Sequence, residues 1–313
     1  MTPISKILVL GAGELGTPVL LALAQHPNVT TTNKSNNISI SVLLRPSTIT
    51  SPSPQKAKEL KVFRDNNISF IPGDITADSP QTLSSTFKQF DTVISCTGFA
   101  VGPGTQLKLT RAVLDAGVAR YIPWQFGVDY DTIGRGSGQD LFDEQLDVRD
   151  ALRSQTSTRW AIISTGMFTS FLFEPSSGIV DLGDGVVTAL GGLGNRVTVT
   201  APHDIGRVTA EVVLGDHEEG FQDKPVYVAG DTLSYGRLAE IVEGVAGRKV
   251  ERRVRTVEAA REDLVKDPGN ALYKYQIVFG EGKGVAWDVE ETWNYKHGIR
   301  LQTAEEWARE NLA

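Results

Sequence analysis

The fold is decided by the stretch ILVLGAGELG at residues 7–16. A short apolar run is typical of a buried parallel strand, and glycines spaced G-x-G-x-x-G suit a tight turn from that strand into a helix. Gly11 can take the positive φ of the turn, Gly13 lets the backbone approach a pyrophosphate, and Gly16 lets the helix pack closely. The N–H groups and the positive dipole at the helix start then hold the phosphates. The stretch therefore predicts a dinucleotide site rather than a chance glycine turn, with contacts at Gly11, Gly13, Glu14, Leu15 and Gly16.

The residue that ends the second predicted strand indicates the type of dinucleotide. This strand, ISISVLL at residues 38–44, ends at Arg45, and Lys56 follows after a loop rich in serine and proline. Sites specific for NAD place Asp or Glu near this position to bond the ribose 2′-hydroxyl, whereas arginine suits a 2′-phosphate. The first acidic residue after the strand is Glu59. We therefore expect Arg45 and Lys56 to select NADP(H), with a solvated surface arginine as the alternative.

The alternation of strands and helices predicts the fold class. Six predicted strands alternate with helices, at residues 7–10, 38–44, 68–71, 91–98 with the terminal turn, 119–123 and 160–164. This order predicts an α/β fold of the Rossmann type with a doubly wound parallel sheet. Ligands of such sheets lie beyond the carboxyl ends of the strands, so Thr97 and Gly98 are expected to face the cofactor. Cys96, just before them, is expected to be a small buried hydrophobe rather than a nucleophile.

A change of pattern after residue 165 predicts a second region. We expect an NADP-binding domain at residues 1–165 and a smaller substrate-binding region at 166–313, partly interwoven with the first. The second region contains a further strand at 226–229, and its last helix is expected to open with a capping box formed by Thr303 and Glu306. The polar tract from Thr30 to Asn37 is expected to be an exposed loop.

The composition argues against several classes of function. The chain has 313 residues and a formal net charge of -7, which gives nucleic-acid binding no electrostatic support. Cys96 is the only cysteine and the four histidines are scattered, so a disulfide within the chain is excluded and a metal site is not expected. No apolar run approaches the roughly 20 residues of a membrane helix, and a core strand begins by about residue 4, which leaves no room for a signal peptide. We therefore expect a cytoplasmic protein with no membrane partner.

Motifs spread over almost the whole chain carry a family resemblance. Besides the glycine turn they are LRPST (44–48), GD (73–74), VIS (93–95), YIP (121–123), FGVD (126–129), VR (148–149) and DIG (204–206). With these motifs the chain resembles the NmrA-like, isoflavone reductase-like family, which includes phenylcoumaran benzylic ether reductases, and more closely its aromatic alcohol reductase relatives. The resemblance implies a Rossmann fold of the atypical short-chain dehydrogenase type and an NADPH-dependent reductase of an aromatic, phenylpropanoid-like or polyketide-like small molecule.

The resemblance also implies roles for residues outside the glycine turn. It gives Arg149 a contact with the cofactor, and the alternative is an ion pair on the helix surface with Asp147 or Asp150. Gln125 is a second candidate for the cofactor site. Four apolar side chains are candidates for stacking on the substrate, with plain core packing as the alternative: Trp124, Phe126, Met167 and Phe168.

The chain departs from the family at its catalytic position. The family's catalytic lysine lies three residues before the Val-Arg pair, where this chain has Gln145, and a family glutamate is replaced by Gln125. Glutamine donates hydrogen bonds but transfers no proton at neutral pH, so the two glutamines are expected to orient a substrate oxygen. None of the seven tyrosines has a lysine four places on, so the Tyr–Lys pair of short-chain dehydrogenases is absent.

The proton donor and the function are left open between alternatives. Candidate donors are Tyr130, Asp129, His203 and water, and for His203 helix capping with Asp204 is the competing role. The first functional hypothesis is an oxidoreductase in which hydride goes to a carbonyl, enone or quinone-methide-like carbon. The second is a non-catalytic NADP-binding sensor of the NmrA type, favoured by the loss of lysine at Gln145. A homodimer is open under either hypothesis.

Overall fold

The computed structural model describes residues 4–30, 38–216 and 220–312, so most of the predicted polar loop (31–37) and His217 lie outside the described residues. The strands are β1 (Lys6–Leu10), β2 (Ser39–Leu44), β3 (Ser69–Pro72), β4 (Thr92–Ser95), β5 (Arg120–Ile122), β6 (Arg159–Ser164), β7 (Met167–Phe168), β8 (Val180–Asp181), β9 (Val186–Leu190), β10 (Arg196–Thr200), β11 (Lys224–Tyr227), β12 (Asp231–Ser234) and β13 (Glu251–Arg255). The helices are α1 (Gly16–Gln25), α2 (Pro27–Thr30), α3 (Pro46–Thr50), α4 (Pro54–Asp65), α5 (Pro80–Phe87), α6 (Thr105–Ala116), α7 (Tyr130–Ile133), α8 (Leu141–Arg153), α9 (Thr169–Phe173), α10 (Pro202–Leu214), α11 (Tyr235–Ala246), α12 (Val257–Lys266), α13 (Ala271–Glu281), α14 (Trp293–Lys296) and α15 (Ala304–Leu312).

The largest sheet confirms the doubly wound topology. Within the described residues it has seven strands in the order β11-β6-β5-β4-β1-β2-β3. The pairings β1–β2, β2–β3, β1–β4, β4–β5 and β5–β6 are all parallel. The chain extends the sheet from β1 through β2 to β3 and then returns to the other side of β1 with β4. The β1–β4 pair is therefore the switch point at which ligands of such sheets bind.

Local sequence signals explain where several elements begin and end. Gly117 adopts the left-handed conformation and ends α6, as a glycine after a helix commonly does. The capping box is confirmed, since Glu306 N–H donates to Thr303 Oγ1 (3.2 Å) and Thr303 N–H donates to Glu306 Oε2 (2.9 Å). The short helix α3 was not predicted, although Pro46 at its first position has the φ that a helix start requires.

Apolar runs explain why the central strands are buried. Residues 7–10 of β1 have no exposed area, as expected for a parallel strand covered on both faces. The core cluster beside it includes Leu83 and Phe87 of α5 and Leu109 of α6. Cys96, which follows β4, is also buried, and burial raises the pKa of its thiol. Its prediction as a buried hydrophobe is confirmed.

The chain divides into two compact units whose segments alternate along the sequence. The first comprises the chain up to Gln125 together with Asp147–Ile163 and Ile205–Pro225, and the second comprises the remaining segments, among them Phe126–Leu146 and Ser164–Asp204. The second unit contains two three-stranded sheets in the described residues, ordered β12-β10-β7 and β13-β9-β8. The predicted domain border at residue 165 remains a prediction. In the structure, residues 126–146 belong to the second unit although they precede that border, and residues 205–225 belong to the first unit although they follow it.

Two features of the described residues bear on function. No helix among residues 4–30, 38–216 and 220–312 combines the length and the apolar character needed to cross a bilayer. The same residues hold no group of three or more His, Cys, Asp or Glu side chains arranged to bind a metal ion. The cytoplasmic location expected from the sequence stays a prediction.

Candidate dinucleotide-binding site

Glycine is found at each of the three positions of the opening turn for a different structural reason. Gly11 has a φ of +93°, which side chains rarely allow. A Cβ on Gly16 would stand 2.2 Å from the carbonyl oxygen of Gly11, so α1 packs directly on the turn. A Cβ on Gly13 would meet no described atom within 4 Å. The space beside Gly13 is therefore open to a ligand.

The start of α1 offers a positive end to that space. The helix runs for ten residues from Gly16, and its first turn carries no acidic side chain. Leu15, the residue before it, is buried, whereas the side chain of Glu14 is exposed. A helix start without a neighbouring acid in its first turn suits an anion, because its dipole and N–H groups are not already compensated there.

A cavity of about 360 Å³ opens where β1, β2, β3 and β4 end, within the first unit. The residues that line it include Gly11 and Gly13 of the turn, Arg45 after β2, Lys56 at the start of α4, and Thr97 after β4. These residues are far apart in the sequence, and the parallel order of the sheet brings them together. The structure thus places the predicted turn and both predicted cations around one space.

The two cations are held differently. The Arg45 side chain is exposed; its backbone precedes α3, and its side chain makes no capping bond to that helix. The Lys56 side chain is half-buried, and its Nζ donates to the carbonyl oxygen of Ala12 (3.0 Å) and pairs with Oε2 of Glu59 (2.6 Å). Lys56 therefore connects α4 to the glycine turn, while Arg45 stands at the rim.

An acid lines the same cavity, and the sequence did not indicate it as a site residue. Asp74 follows β3, and its Oδ1 accepts hydrogen bonds from the Thr76 hydroxyl (2.6 Å) and from the N–H groups of Thr76 (2.9 Å) and Ala77 (3.2 Å). These bonds, that of the Thr76 hydroxyl foremost, hold the pKa of Asp74 below its usual range, and Arg45 adds a smaller attraction. The available signal was its position directly after a predicted strand, where ligands of such sheets lie.

The two residues after β4 have different surroundings. Thr97 lines the cavity, and its Oγ1 donates to the carbonyl oxygen of Leu10 (2.9 Å). A Cβ on Gly11 would stand 2.7 Å from that Oγ1, which is a second reason for a glycine there. A Cβ on Gly98 would stand 2.8 Å from Cζ2 of Trp124. The indole ring thus explains why residue 98 is a glycine. Contact of Gly98 with a cofactor stays a prediction.

Arg149 lies inside the first unit rather than at a helix surface. Its side chain is fully buried, and its Nε donates to Oε1 of Gln125 (2.8 Å), which is also fully buried. The surface position expected under the ion-pair alternative with Asp147 or Asp150 is therefore wrong. A buried guanidinium requires such acceptors because an uncompensated charge away from water is costly. Contact of either residue with a cofactor stays a prediction.

The candidate catalytic residues belong to the second unit. Gln145 is fully buried on α8, and Tyr130 is buried with its ring edge-on to Phe142 at 4.9 Å between centroids. The Asp129 carboxylate accepts hydrogen bonds from the N–H (3.3 Å) and the hydroxyl (2.6 Å) of Thr132. Asp129 therefore caps α7, which is a structural use of its charge.

His203 is exposed, and its neighbour is not. The imidazole is 57% exposed, and its Nε2 lies 3.2 Å from Oδ1 of the fully buried Asp204. The other carboxylate oxygen of Asp204 accepts the N–H of Gln302 (2.7 Å). Because α10 already begins at Pro202, His203 lies within the helix rather than ahead of it. Its role as a proton donor stays a prediction.

The candidate substrate side chains differ in exposure. Phe126 and Met167, both in the second unit, are buried, which favours core packing, and their contact with a substrate stays a prediction. Phe168 of the second unit and Trp124 of the first are half-buried. Trp124 packs edge-on against Phe99, with 4.6 Å between ring centroids. Part of each half-buried ring remains accessible, and their contact with a substrate stays a prediction.

A doubly wound sheet with a glycine turn at its switch point defines a Rossmann-type protein. Within that class, the chain belongs to the NmrA-like family, whose sequence profile matches residues 3–308. The family named from the sequence motifs is thereby confirmed.

Relatives and solved structures agree with this membership. An "NmrA-like family domain-containing oxidoreductase" from Gibberella moniliformis is 45% identical over 306 residues, which cover 97% of this chain and 97% of that protein. Phenylcoumaran benzylic ether reductase 1 from Arabidopsis thaliana is 25% identical over 310 residues, covering 93% and 91%. The solved binary complex of leucoanthocyanidin reductase and NADPH from Vitis vinifera matches with a TM-score of 0.77 at 20% identity, covering 98% of this chain and 99% of that one. At that identity the structural match shows the fold alone.

Proposed function

We propose that this protein is an NADPH-dependent reductase of an aromatic small molecule of the phenylpropanoid or polyketide type. One observation carries the proposal: the same cavity of the first unit joins the glycine turn to two cations, Arg45 and Lys56. A glycine turn alone suits any dinucleotide, whereas cations after β2 suit the additional phosphate on the ribose of NADP(H). The names of the relatives support the proposal, since they include an oxidoreductase and an ether reductase.

The residues of the cavity fit NADPH. The open space beside Gly13 lets a pyrophosphate approach the backbone, and the start of α1 supplies positive charge. Arg45 would bind the 2′-phosphate in a bidentate manner, and Lys56 would add a point charge. When bound, NADPH supplies a hydride; the protein binds and orients both reactants and provides a proton.

The substrate class rests on aromatic surface and on the relatives. The exposed part of Trp124 in the first unit, and that of Phe168 in the second, each offer a flat apolar surface for an aromatic ring. A phenylcoumaran is an aromatic substrate, and the Arabidopsis relative is named for reducing its benzylic ether. Homodimer formation and a cytoplasmic location remain predictions alongside this assignment.

Few groups are candidates for the proton donor. Gln145 donates and accepts hydrogen bonds, so we assign it the orientation of a substrate oxygen rather than proton transfer. Asp129 is the weakest donor candidate, because its carboxylate is already engaged with Thr132. Tyr130, His203 and water are the remaining candidates. The pH profile of turnover, compared between wild type and variants that lack the Tyr130 hydroxyl or the His203 imidazole, would separate them.

A direct test measures binding and turnover with the same preparation. We expect the protein to bind NADPH more tightly than NADH, and to consume NADPH with at least one member of a panel of aromatic aldehydes, ketones, quinones and benzylic ethers. Calorimetry measures the binding, and loss of NADPH absorbance measures the turnover. Absence of NADPH binding would overturn the proposal.

The second candidate function is a non-catalytic NADP-binding sensor. The observation that favours it is the glutamine at the family's lysine position, which leaves Gln145 unable to transfer a proton. Tight NADPH binding with no turnover across the whole panel would favour the sensor over the reductase.

Replacement of Gln145 by lysine is expected to lower stability without creating family activity. Gln145 has no exposed area, so the ammonium group of a lysine at this position would be desolvated. The expected loss of unfolding free energy is about 2–4 kcal/mol, measured by urea denaturation. Gln145→Met, similar in size and uncharged, is the control and should lose less. A gain of benzylic ether reduction in Gln145→Lys would contradict this expectation.

A further inference from the structure

One cation that lines the cavity of the first unit is paired with an acid that the proposed function does not use. Lys56 lines the cavity, but its ammonium group is paired with Glu59, one turn later on α4, at 2.6 Å. Both side chains are about one-third exposed, so solvent reaches the pair. Arg45 and Asp74 also line the cavity, and Glu59 adds a second acid next to it through its contact with Lys56. The formal charge of these four groups is zero.

A group of side chains whose charges cancel is an unexpected receptor for a dianion. A lysine ammonium has three donors, and Lys56 uses two of them on Ala12 and Glu59, which leaves one for a ligand. The Glu59 carboxylate carries a negative charge next to the atom that would bind a phosphate. It therefore reduces the attraction of Lys56 for the phosphate and adds a repulsion of its own.

The position of Lys56 does not depend on the charge of Glu59. The bond from Lys56 to the carbonyl oxygen of Ala12 already fixes the ammonium beside the glycine turn. A glutamine at position 59 would keep an oxygen acceptor for Lys56 and remove only the negative charge. The effect of charge on binding can thus be separated from the effect of positioning.

We propose that Glu59 is a specificity-determining residue that weakens the hold of this cavity on the ribose 2′-phosphate of NADP(H). The inference rests on the proposed cofactor and adds that Glu59 reduces the attraction of Lys56 for the 2′-phosphate. Glu59 lowers affinity for the 2′-phosphorylated dinucleotide more than for the unphosphorylated one. It thereby reduces the ratio of affinities for NADP(H) and NAD(H) that Arg45 creates. It also favours release of the oxidised cofactor.

The test compares wild type, Glu59→Gln and a matched control in the full-length protein. The control is Asp65→Asn, which removes the exposed Lys61–Asp65 ion pair on the same helix, outside the residues that line the cavity. The probes are NADPH, 2′,5′-ADP, which carries the 2′-phosphate, and 5′-ADP, which lacks it. Calorimetry is performed at low and at high salt. Unfolding curves confirm that each variant is folded.

Glu59→Gln is expected to bind 2′,5′-ADP roughly three- to tenfold more tightly than wild type, with a change of less than about twofold for 5′-ADP. The gain should shrink at high salt, because it arises from an exposed charge. Asp65→Asn should match wild type. If Glu59→Gln binds 2′,5′-ADP no more tightly than a wild type that does bind NADPH, the inference is overturned and the proposed function stands. If wild type does not bind NADPH, both are overturned.

Discussion

Replacement of Arg45 by alanine is expected to weaken NADPH binding by about 10- to 100-fold and to leave NADH binding unchanged. A charge-assisted hydrogen bond is worth roughly 1.5–3 kcal/mol, and each 1.4 kcal/mol is tenfold in affinity. The loss should stay at the lower end of that range if Lys56 continues to attract the phosphate. Calorimetric titration of the variant with both cofactors measures the two affinities.

The structure makes this substitution a clean test of specificity. The Arg45 side chain is exposed and makes no capping bond to α3, so its removal should not affect folding. Arg45→Lys is the control: it keeps the charge and loses the bidentate geometry, and an intermediate affinity is expected. An alanine variant that binds NADPH as well as wild type does would show that Arg45 is only a solvated surface residue, the alternative left open by the sequence.

The parts of the site that the sequence predicted are those encoded in one short stretch. The turn at residues 7–16 contains its own strand, glycines and helix start, so its geometry follows from local rules. Each of its glycines shows the reason expected for it: a positive φ, an open space and a close packing contact. Arg45 was found in the same way, because it directly follows a strand.

The parts that the sequence did not predict depend on the order of strands. Asp74 shares the cavity with Arg45 because β3 pairs with β2 in the sheet, and no local pattern states that pairing. The contact of Lys56 with Ala12 has the same origin, since it joins residues 44 positions apart. The strand β11 was predicted as a strand, but its place beside β6 in the main sheet was not.

Arg149 shows how sequence neighbours mislead about burial. Asp147 and Asp150 stand two residues before it and one residue after it, and on a helix residues at these spacings do not face each other. The Arg149 guanidinium donates a hydrogen bond to Gln125, which stands 24 positions earlier. Acids on either side of an arginine in the sequence thus suggest an ion pair at the surface. In the structure the helix places Arg149 in the interior and leaves Asp147 and Asp150 exposed.

Two glycine substitutions three residues apart are expected to have opposite effects. Gly13→Ala should leave stability unchanged or raise it by about 0.4–1 kcal/mol, because its Cβ meets open space and alanine restricts the unfolded chain. The same Cβ would occupy the space through which a pyrophosphate approaches the backbone. Affinity for NADPH should therefore fall on the order of 100-fold. Urea denaturation and calorimetry measure the two quantities.

Gly16→Ala should instead unfold the opening turn. Its Cβ would lie 2.2 Å from the carbonyl oxygen of Gly11, a distance that backbone atoms cannot tolerate, so α1 must move away from the strand. We expect a loss of more than about 3 kcal/mol in unfolding free energy, in the range of the most damaging single substitutions. If Gly13→Ala binds NADPH normally, the phosphates do not approach the turn there. If Gly16→Ala is as stable as wild type, α1 does not pack this closely on the turn. The pair therefore separates the use of glycine for binding from its use for folding within one motif.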